Sequence, residues 1–227
     1  MKKTTQIALV AIALAAAADA SANVPTQTET FTSNTLAFTK SNSGVLDLTK
    51  FNTALGTLQS VQIQLFSDLN TTIKVENKSV NSTSMITGTA GVGLTLTGAT
   101  LSQTLSTSGQ HIFSEAKFDG DDHFSGTSGG SYTFALAPFS GSSTYSDAAT
   151  LSAFSGNGQV QLNLAGLTSS NVTGTSGNTH SLVLPSYDAY AKVTYTYAVP
   201  VPEPETYAML LAGLGLVGVI ARKRKAK

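Results

Sequence analysis

From Leu58 to Tyr197 the chain alternates apolar and polar residues in short runs, the period of strands that bury one face. Val61, Ile63 and Leu65 are separated by Gln62 and Gln64, and Ile73 and Val75 follow. Val92, Leu94 and Leu96 repeat the pattern around Gly93 and Thr95, as do Tyr132, Phe134 and Leu136, then Val160, Leu162 and Leu164. The last run is the clearest, with Ala191, Val193, Tyr195 and Tyr197 alternating with Lys192, Thr194 and Thr196. Clusters of Gly, Asn, Ser or Pro divide these runs and predict turns at Asp68 to Asn70, Ser106 to Gly109, Ser125 to Gly130, Ser140 to Ser143, Gly156 to Gly158 and Gly174 to Asn178. One helical turn is expected at Lys50 to Leu55, where Phe51, Ala54 and Leu55 have helical spacing before Gly56. Many short alternating strands predict an all-β fold, an antiparallel β-sandwich that is jelly-roll-like. No internal repeat of fixed period argues for a solenoid or propeller.

The two ends follow a different pattern. Met1-Lys2-Lys3 is basic, and Ile7 to Ala18 is apolar and uncharged. Two small-x-small sites follow, Ala18-Asp19-Ala20 and Ala20-Ser21-Ala22, which is the layout of a signal peptide over 1–22. The rival, an uncut membrane anchor, needs a longer apolar stretch of about 20 residues. At the other end Val201-Pro202-Glu203-Pro204-Glu205 precedes an apolar segment from Tyr207 to Ala221 and a basic tail, Arg222-Lys223-Arg224-Lys225. Two prolines remove backbone donors and favour an extended chain that suits a protease cleft. The apolar segment is a short transmembrane helix in this reading, with Gly213, Gly215 and Gly218 permitting close helix approach. The four cations then hold the C-terminus in the cytoplasm as a stop-transfer signal. An ordinary single-pass anchor accounts for the same order of parts.

This tail, 200–227, resembles the PEP-CTERM sorting signal: Val-Pro-Glu-Pro, a few residues, an apolar helix with a Gly-Leu core and a basic end. Lysines alternate here with the expected arginines. The resemblance implies that an exosortase, an integral-membrane cysteine protease, recognises Pro202, Glu203 and Pro204 after export. It also implies a Gram-negative source that makes exopolysaccharide, a membrane-anchored stage through the C-terminal helix, and a destination at the cell surface or extracellular matrix.

The formal charge of zero hides an asymmetry, since residues 23–199, the expected exported domain, hold ten acids against six lysines and no arginine. A net charge of −4 with no basic cluster argues against nucleic acid as a partner. Cysteine is absent, so no disulfide, thiolate metal site or cysteine nucleophile is available. The stretch Phe51 to Leu58 with Val61, the loop Phe118 to Gly126, and the ending Val193 to Tyr197 are similar to the choice-of-anchor E domain. That family consists of β domains preceding alternative C-terminal sorting signals, and the resemblance implies no catalytic activity.

Candidate chemistry is sparse. Asp119, Asp121 and Asp122, around Gly120, are the one dense group of carboxylates and offer oxygen ligands of the kind Ca²⁺ takes. The EF-hand pattern is missing, so a solvated hairpin loop is the first reading and a calcium loop the second. His111, His123 and His180 are the only histidines, and no Gly-x-Ser-x-Gly elbow accompanies them. No acid pairs with another in the manner of a glycosidase, so the chain is not expected to be an enzyme and needs no cofactor. Four Asn-x-Ser/Thr triplets, at Asn70, Asn77, Asn81 and Asn171, are what chance gives in a chain this rich in Ser, Thr and Asn. Among Tyr187, Tyr190, Tyr195 and Tyr197, a sugar-stacking face competes with core packing, and alternation sends Tyr195 and Tyr197 inward with Val193. Three roles share the same address: a structural or interaction protein; behind it a module that binds carbohydrate, exopolysaccharide included, or calcium; and, behind both, a secreted hydrolase.

Overall fold

The computed structural model describes residues 25–200 and 209–218. The signal peptide expected at 1–22, the Pro-Glu-Pro element and the basic tail lie outside these residues.

Ten strands form two antiparallel sheets packed as a sandwich. Sheet A is ordered β1-β10-β4-β7, with β2 beside β10 and β9 beside β4; sheet B is ordered β3-β8-β5-β6. The strands are β1 (Thr26–Thr32), β2 (Leu36–Phe38), β3 (Asn42–Thr49), β4 (Thr57–Asn77), β5 (Ser84–Gly98), β6 (Leu101–Glu115), β7 (Gly129–Tyr145), β8 (Gln159–Gly174), β9 (Thr179–Leu184) and β10 (Tyr187–Ala198). Most inner rows are those the alternation predicts: Val61, Ile63, Leu65, Ile73 and Val75 on β4, Val92, Leu94 and Leu96 on β5, and Val160, Leu162 and Leu164 on β8 are all buried, whereas on β7 Phe134 is buried but Tyr132 is exposed. Ala191, Val193, Tyr195 and Tyr197 complete the core from β10.

Several expected turns are strand interiors. Asp68 to Asn70 lies within the 21-residue β4, where Ser67, Leu69 and Thr71 continue the buried row. The polar residues there serve a change of partner. β4 pairs with β10 along its first part and with β9 along Thr72 to Asn77. At the break, Ser67 Oγ donates to the Asp188 carbonyl (2.7 Å), Asp68 Oδ1 accepts from the Asp188 N–H (3.0 Å), and the Asn70 N–H donates to the Ser186 carbonyl (2.8 Å). Ser106 to Gly109 and Ser140 to Ser143 likewise sit inside β6 and β7. Small residues tolerate a strand whose outer face meets water, so their clustering does not by itself make a turn. Gly156 to Gly158 and Gly174 to Asn178 are connections as expected, and β7 begins at Gly129, near the end of the predicted Ser125 to Gly130 turn.

The turn between β5 and β6 carried no Asn-Gly signal. Ala99 (φ 49°) and Thr100 (φ 69°) form it with Gly98 paired to Leu101, so both central residues have positive φ, as a type I′ turn requires. Thr100 Oγ1 is 2.7 Å from Thr150 Oγ1, which fastens this turn to helix α1 (Ala148–Phe154). The helix was not foreseen, although Asp147 is a readable N-cap whose Oδ1 accepts from the Thr150 N–H at 2.9 Å. The helical turn expected at Lys50 to Leu55 is a single 3₁₀ turn, Thr53–Leu55, capped by Asn52.

Beyond the sandwich, residues 209–218 form an α-helix, α2. Its Met209, Leu210, Leu211, Leu214, Leu216 and Val217 are exposed. Among the described residues no helix is long and apolar enough to cross a membrane.

Candidate functional site

The densest group of ionisable side chains sits at one end of the sandwich, in the connection from β6 to β7, residues 116–128. Asp119 braces this loop internally. Its Oδ1 accepts from the Asp121 N–H (3.0 Å) and its Oδ2 from the Thr127 N–H (2.9 Å). Those backbone donors stabilise the ionised form and lower its pKa to about 2. Gly120 (φ +98°) supplies the positive φ needed just after it, with open space around the position.

Asp121 and Asp122 turn to other partners. Asp121 pairs with His123 Nδ1, and the hydrogen bond, followed by the carboxylate charge, raises the His123 pKa. Asp122 Oδ2 lies 3.0 Å from Lys78 Nζ and its Oδ1 3.0 Å from His180 Nδ1. The hydrogen bonds from His180 and Lys78 lower the Asp122 pKa. Lys78 Nζ also stands 3.9 Å from the centre of the Phe118 ring, and Phe124 tilts over His180 with centroids 4.9 Å apart. Thus the three carboxylates of the calcium reading each engage a different group. Among the described residues no three His, Cys, Asp or Glu side chains gather as metal ligands.

Two buried residues beneath the loop have a structural role that the sequence reading did not expect. Asn77, at the end of β4, is fully buried with both halves of its amide engaged. Its Nδ2 donates to the carbonyls of Ser82 (2.9 Å) and Ala116 (2.7 Å), while Oδ1 accepts from the Ser79 N–H (3.1 Å) and Ser176 Oγ (2.9 Å). One amide therefore ties together the connections after β4, β6 and β8. Burial also removes Asn77 from the accessible Asn-x-Ser/Thr triplets, whereas Asn70, Asn81 and Asn171 are exposed. Next to it, Glu76 is fully buried; Oε1 accepts from Ser128 Oγ, and Oε2 has no hydrogen-bond partner. Burial, with the Glu76 charge second, raises the pKa of Glu115. The only sequence signal for this pair was the polar ending of otherwise apolar inner rows.

Two Asp–His pairs are present, yet no hydroxyl is hydrogen-bonded to the second ring nitrogen of either histidine among the described residues. His111 stacks on Tyr132 at a centroid distance of 3.7 Å and meets the edge of Phe113 at 4.6 Å. Of the four tyrosines weighed for sugar stacking, Tyr187, Tyr195 and Tyr197 are buried. Tyr190 faces outward and lies parallel to Phe66, with centroids 4.9 Å apart and 7° between planes. Lys192 Nζ is 5.1 Å from the Phe66 ring centre.

The C-terminal part of the chain carries the more specific information. Residues 200–225 match the PEP-CTERM protein-sorting motif. The PEP-CTERM motif implies an exported protein sorted to the cell surface by an exosortase. No curated protein matches the chain. Among solved structures, the chain is similar to Turnip Yellow Mosaic Virus at 8% identity and a TM-score of 0.22, covering 79% of this chain and 97% of that one. It is also similar to Mud crab tombus-like virus at 9% identity and a TM-score of 0.15, covering 79% and 87%. Scores this low do not bear on function, and the fold rests on its own strand order.

Proposed function

We propose that this chain is a structural or interaction protein of a Gram-negative cell surface or exopolysaccharide matrix, exported by the signal at 1–22 and processed by an exosortase at Pro202-Glu203-Pro204. The single observation that carries the reading is the sorting motif over 200–225. Helix α2 is the membrane-seated part before processing: its apolar side chains have no cover of their own, and Arg222, Lys223, Arg224 and Lys225 follow it on the cytoplasmic side. The β-sandwich is the cargo. Its order, β1-β10-β4-β7 over β3-β8-β5-β6, is jelly-roll-like in our reading, with neighbours drawn from opposite ends of the chain. The acidic loop braces that cargo and performs no chemistry.

The test is expression of the full chain with and without its exosortase, following the C-terminus by intact mass and membrane fractionation. Loss of the tail near Pro202 to Pro204 only when the protease is present supports the reading. An intact, membrane-bound chain in both strains overturns it in favour of a plain anchor.

A carbohydrate-binding role at the same address is a second reading, favoured by the outward Phe66–Tyr190 pair beside Lys192. Retention of the protein on the producer's own polysaccharide, lost in Tyr190→Ala, supports it, and equal retention of the two proteins removes it.

A further inference from the structure

Sheet B ends on β6, and no described strand pairs with its second edge. An open edge is a row of free N–H and C=O groups, which proteins normally guard with charge, proline, a bulge or brevity. Every other edge of this sandwich is guarded in one of these ways. β1 contains Glu29, β3 contains Asp47, and β2 is three residues long. β9 has six residues and is followed by Pro185. β7 contains Pro138 at an irregularity, where β4 advances from Ser67 to Leu69 while β7 runs from Phe139 to Leu136.

β6 has none of these devices before its last residue, Glu115. It runs 15 residues in unbroken register with β5, from Gly98↔Leu101 to Ser84↔Glu115. From Leu101 to Ser114 it contains no proline and no Asp, Glu, Lys or Arg. Its outer row, Thr104, Ser106, Ser108, Gln110 and Ile112, is exposed. Its inner row is incompletely covered, since Leu105, Thr107, Gly109 and His111 are only half-buried, whereas the β5 partners Leu94, Val92 and Ala90 are buried. The Tyr145 hydroxyl donates to the Ser102 carbonyl at 3.4 Å and Gln103 Nε2 to the Gly141 carbonyl at 2.7 Å, so β7 engages one end of the strand, while from Thr104 onward no described strand takes up its outward backbone groups.

We propose that β6 is a self-association edge, pairing antiparallel with β6 of a second copy about a two-fold axis so that two four-stranded sheets become one sheet of eight. Charge selects the occupant. The domain carries a net charge of −4, so two copies approaching by a charged edge meet like charges, while an uncharged strand is self-complementary under the two-fold operation. This association does not depend on processing of the tail.

The lack of cysteine makes the test direct. Single substitutions Thr104→Cys, Ser106→Cys, Ser108→Cys and Gln110→Cys are placed in the full exported chain, with Val45→Cys on guarded β3 as the control, and the cells are mildly oxidised. Residues facing each other across an antiparallel pair come within disulfide reach near the axis. The expected result is a covalent homodimer at one or two neighbouring positions of the four and none at Val45→Cys. Adding Lys at two of the positions not used for the cross-link abolishes the dimer while the melting temperature of the protein is unchanged. No homodimer above the control, equal cross-linking at every position including the control, or cross-linking to a different protein each overturns the proposal.

Discussion

The Tyr195 hydroxyl donates a 2.6 Å hydrogen bond to the Thr49 carbonyl, joining β10 of one sheet to the end of β3 in the other. Tyr195 is fully buried, its ring 5.8 Å from Phe51 and 6.3 Å from Phe154 between centroids. Burial, and after it the charge of Glu29, pushes the phenol well above its ordinary range, so the hydroxyl stays a donor at any working pH. Tyr195→Phe keeps the ring and orphans the Thr49 carbonyl. A loss of about 1–3 kcal/mol is expected, read as a lower urea midpoint at unchanged slope. An unchanged midpoint means that the inter-sheet bond adds nothing to stability.

Asp119 sets an acid limit on the 116–128 loop. Its folded pKa of about 2 lies below the ordinary aspartate value of 3.8, so its stabilisation is full above that ordinary value and is lost as pH falls through the folded one. Asp119→Asn removes the charge and with it this dependence. Melting curves at pH 7 and pH 2.5 are expected to show wild type well ahead of the variant at pH 7, with the gap narrowing at pH 2.5. A constant gap refutes the assignment.

Glu115 works with the opposite sign. Burial, then Glu76, raises its folded pKa above the ordinary value of 4.5, so ionisation at neutral pH is opposed by the fold. The resulting penalty is present above the folded pKa and disappears as pH falls below 4.5, where both states are protonated. Glu115→Gln is therefore expected to raise the melting temperature at pH 7 and to leave it unchanged at pH 3.5. A variant that is less stable than wild type at pH 7 contradicts this.

Gly166 on β8 has no room for a side chain, since a Cβ would lie 2.7 Å from Cζ of the buried Tyr187. Gly166→Ala is expected to destabilise by about 1–3 kcal/mol through overpacking. Gly93, on β5 of the same sheet, is the control: the nearest neighbour of its Cβ would be the Leu167 carbonyl at 4.0 Å, and Gly93→Ala is expected to be near neutral in the same denaturation experiment. Equal effects at the two sites remove the steric account.

The sequence made the core strands legible because burial on one face leaves a period of two, as in Val61-Gln62-Ile63-Gln64-Leu65. It misplaced connections for a physical reason: Ser, Gly and Asn mark a turn only when the backbone leaves the sheet, and in β6 and β7 the same residues face water from within a strand. The Ala99-Thr100 turn was hidden for the converse reason, two residues without a turn signature held at positive φ by the hairpin and by Thr150. At the loop end, the carboxylates Asp119, Asp121 and Asp122 were visible from spacing, but the partners of Asp122, Lys78 just after β4 and His180 on β9, come from distant parts of the chain. The burial of Glu76 and of Asn77, read only as part of a chance triplet, was invisible because a buried polar group looks like any other polar letter until its neighbours are known.

The strand order also fixes a sequence of events. β3 is paired to β8 from Asn42↔Gly166 to Thr49↔Gln159, and β1 lies against β10. The first strands to emerge from a secretion channel therefore wait for the last ones, and loop closure over most of the domain must precede their pairing. In the export proposed above, such a chain is expected to stay unfolded during passage and to close only once nearly all of the domain has reached the far side.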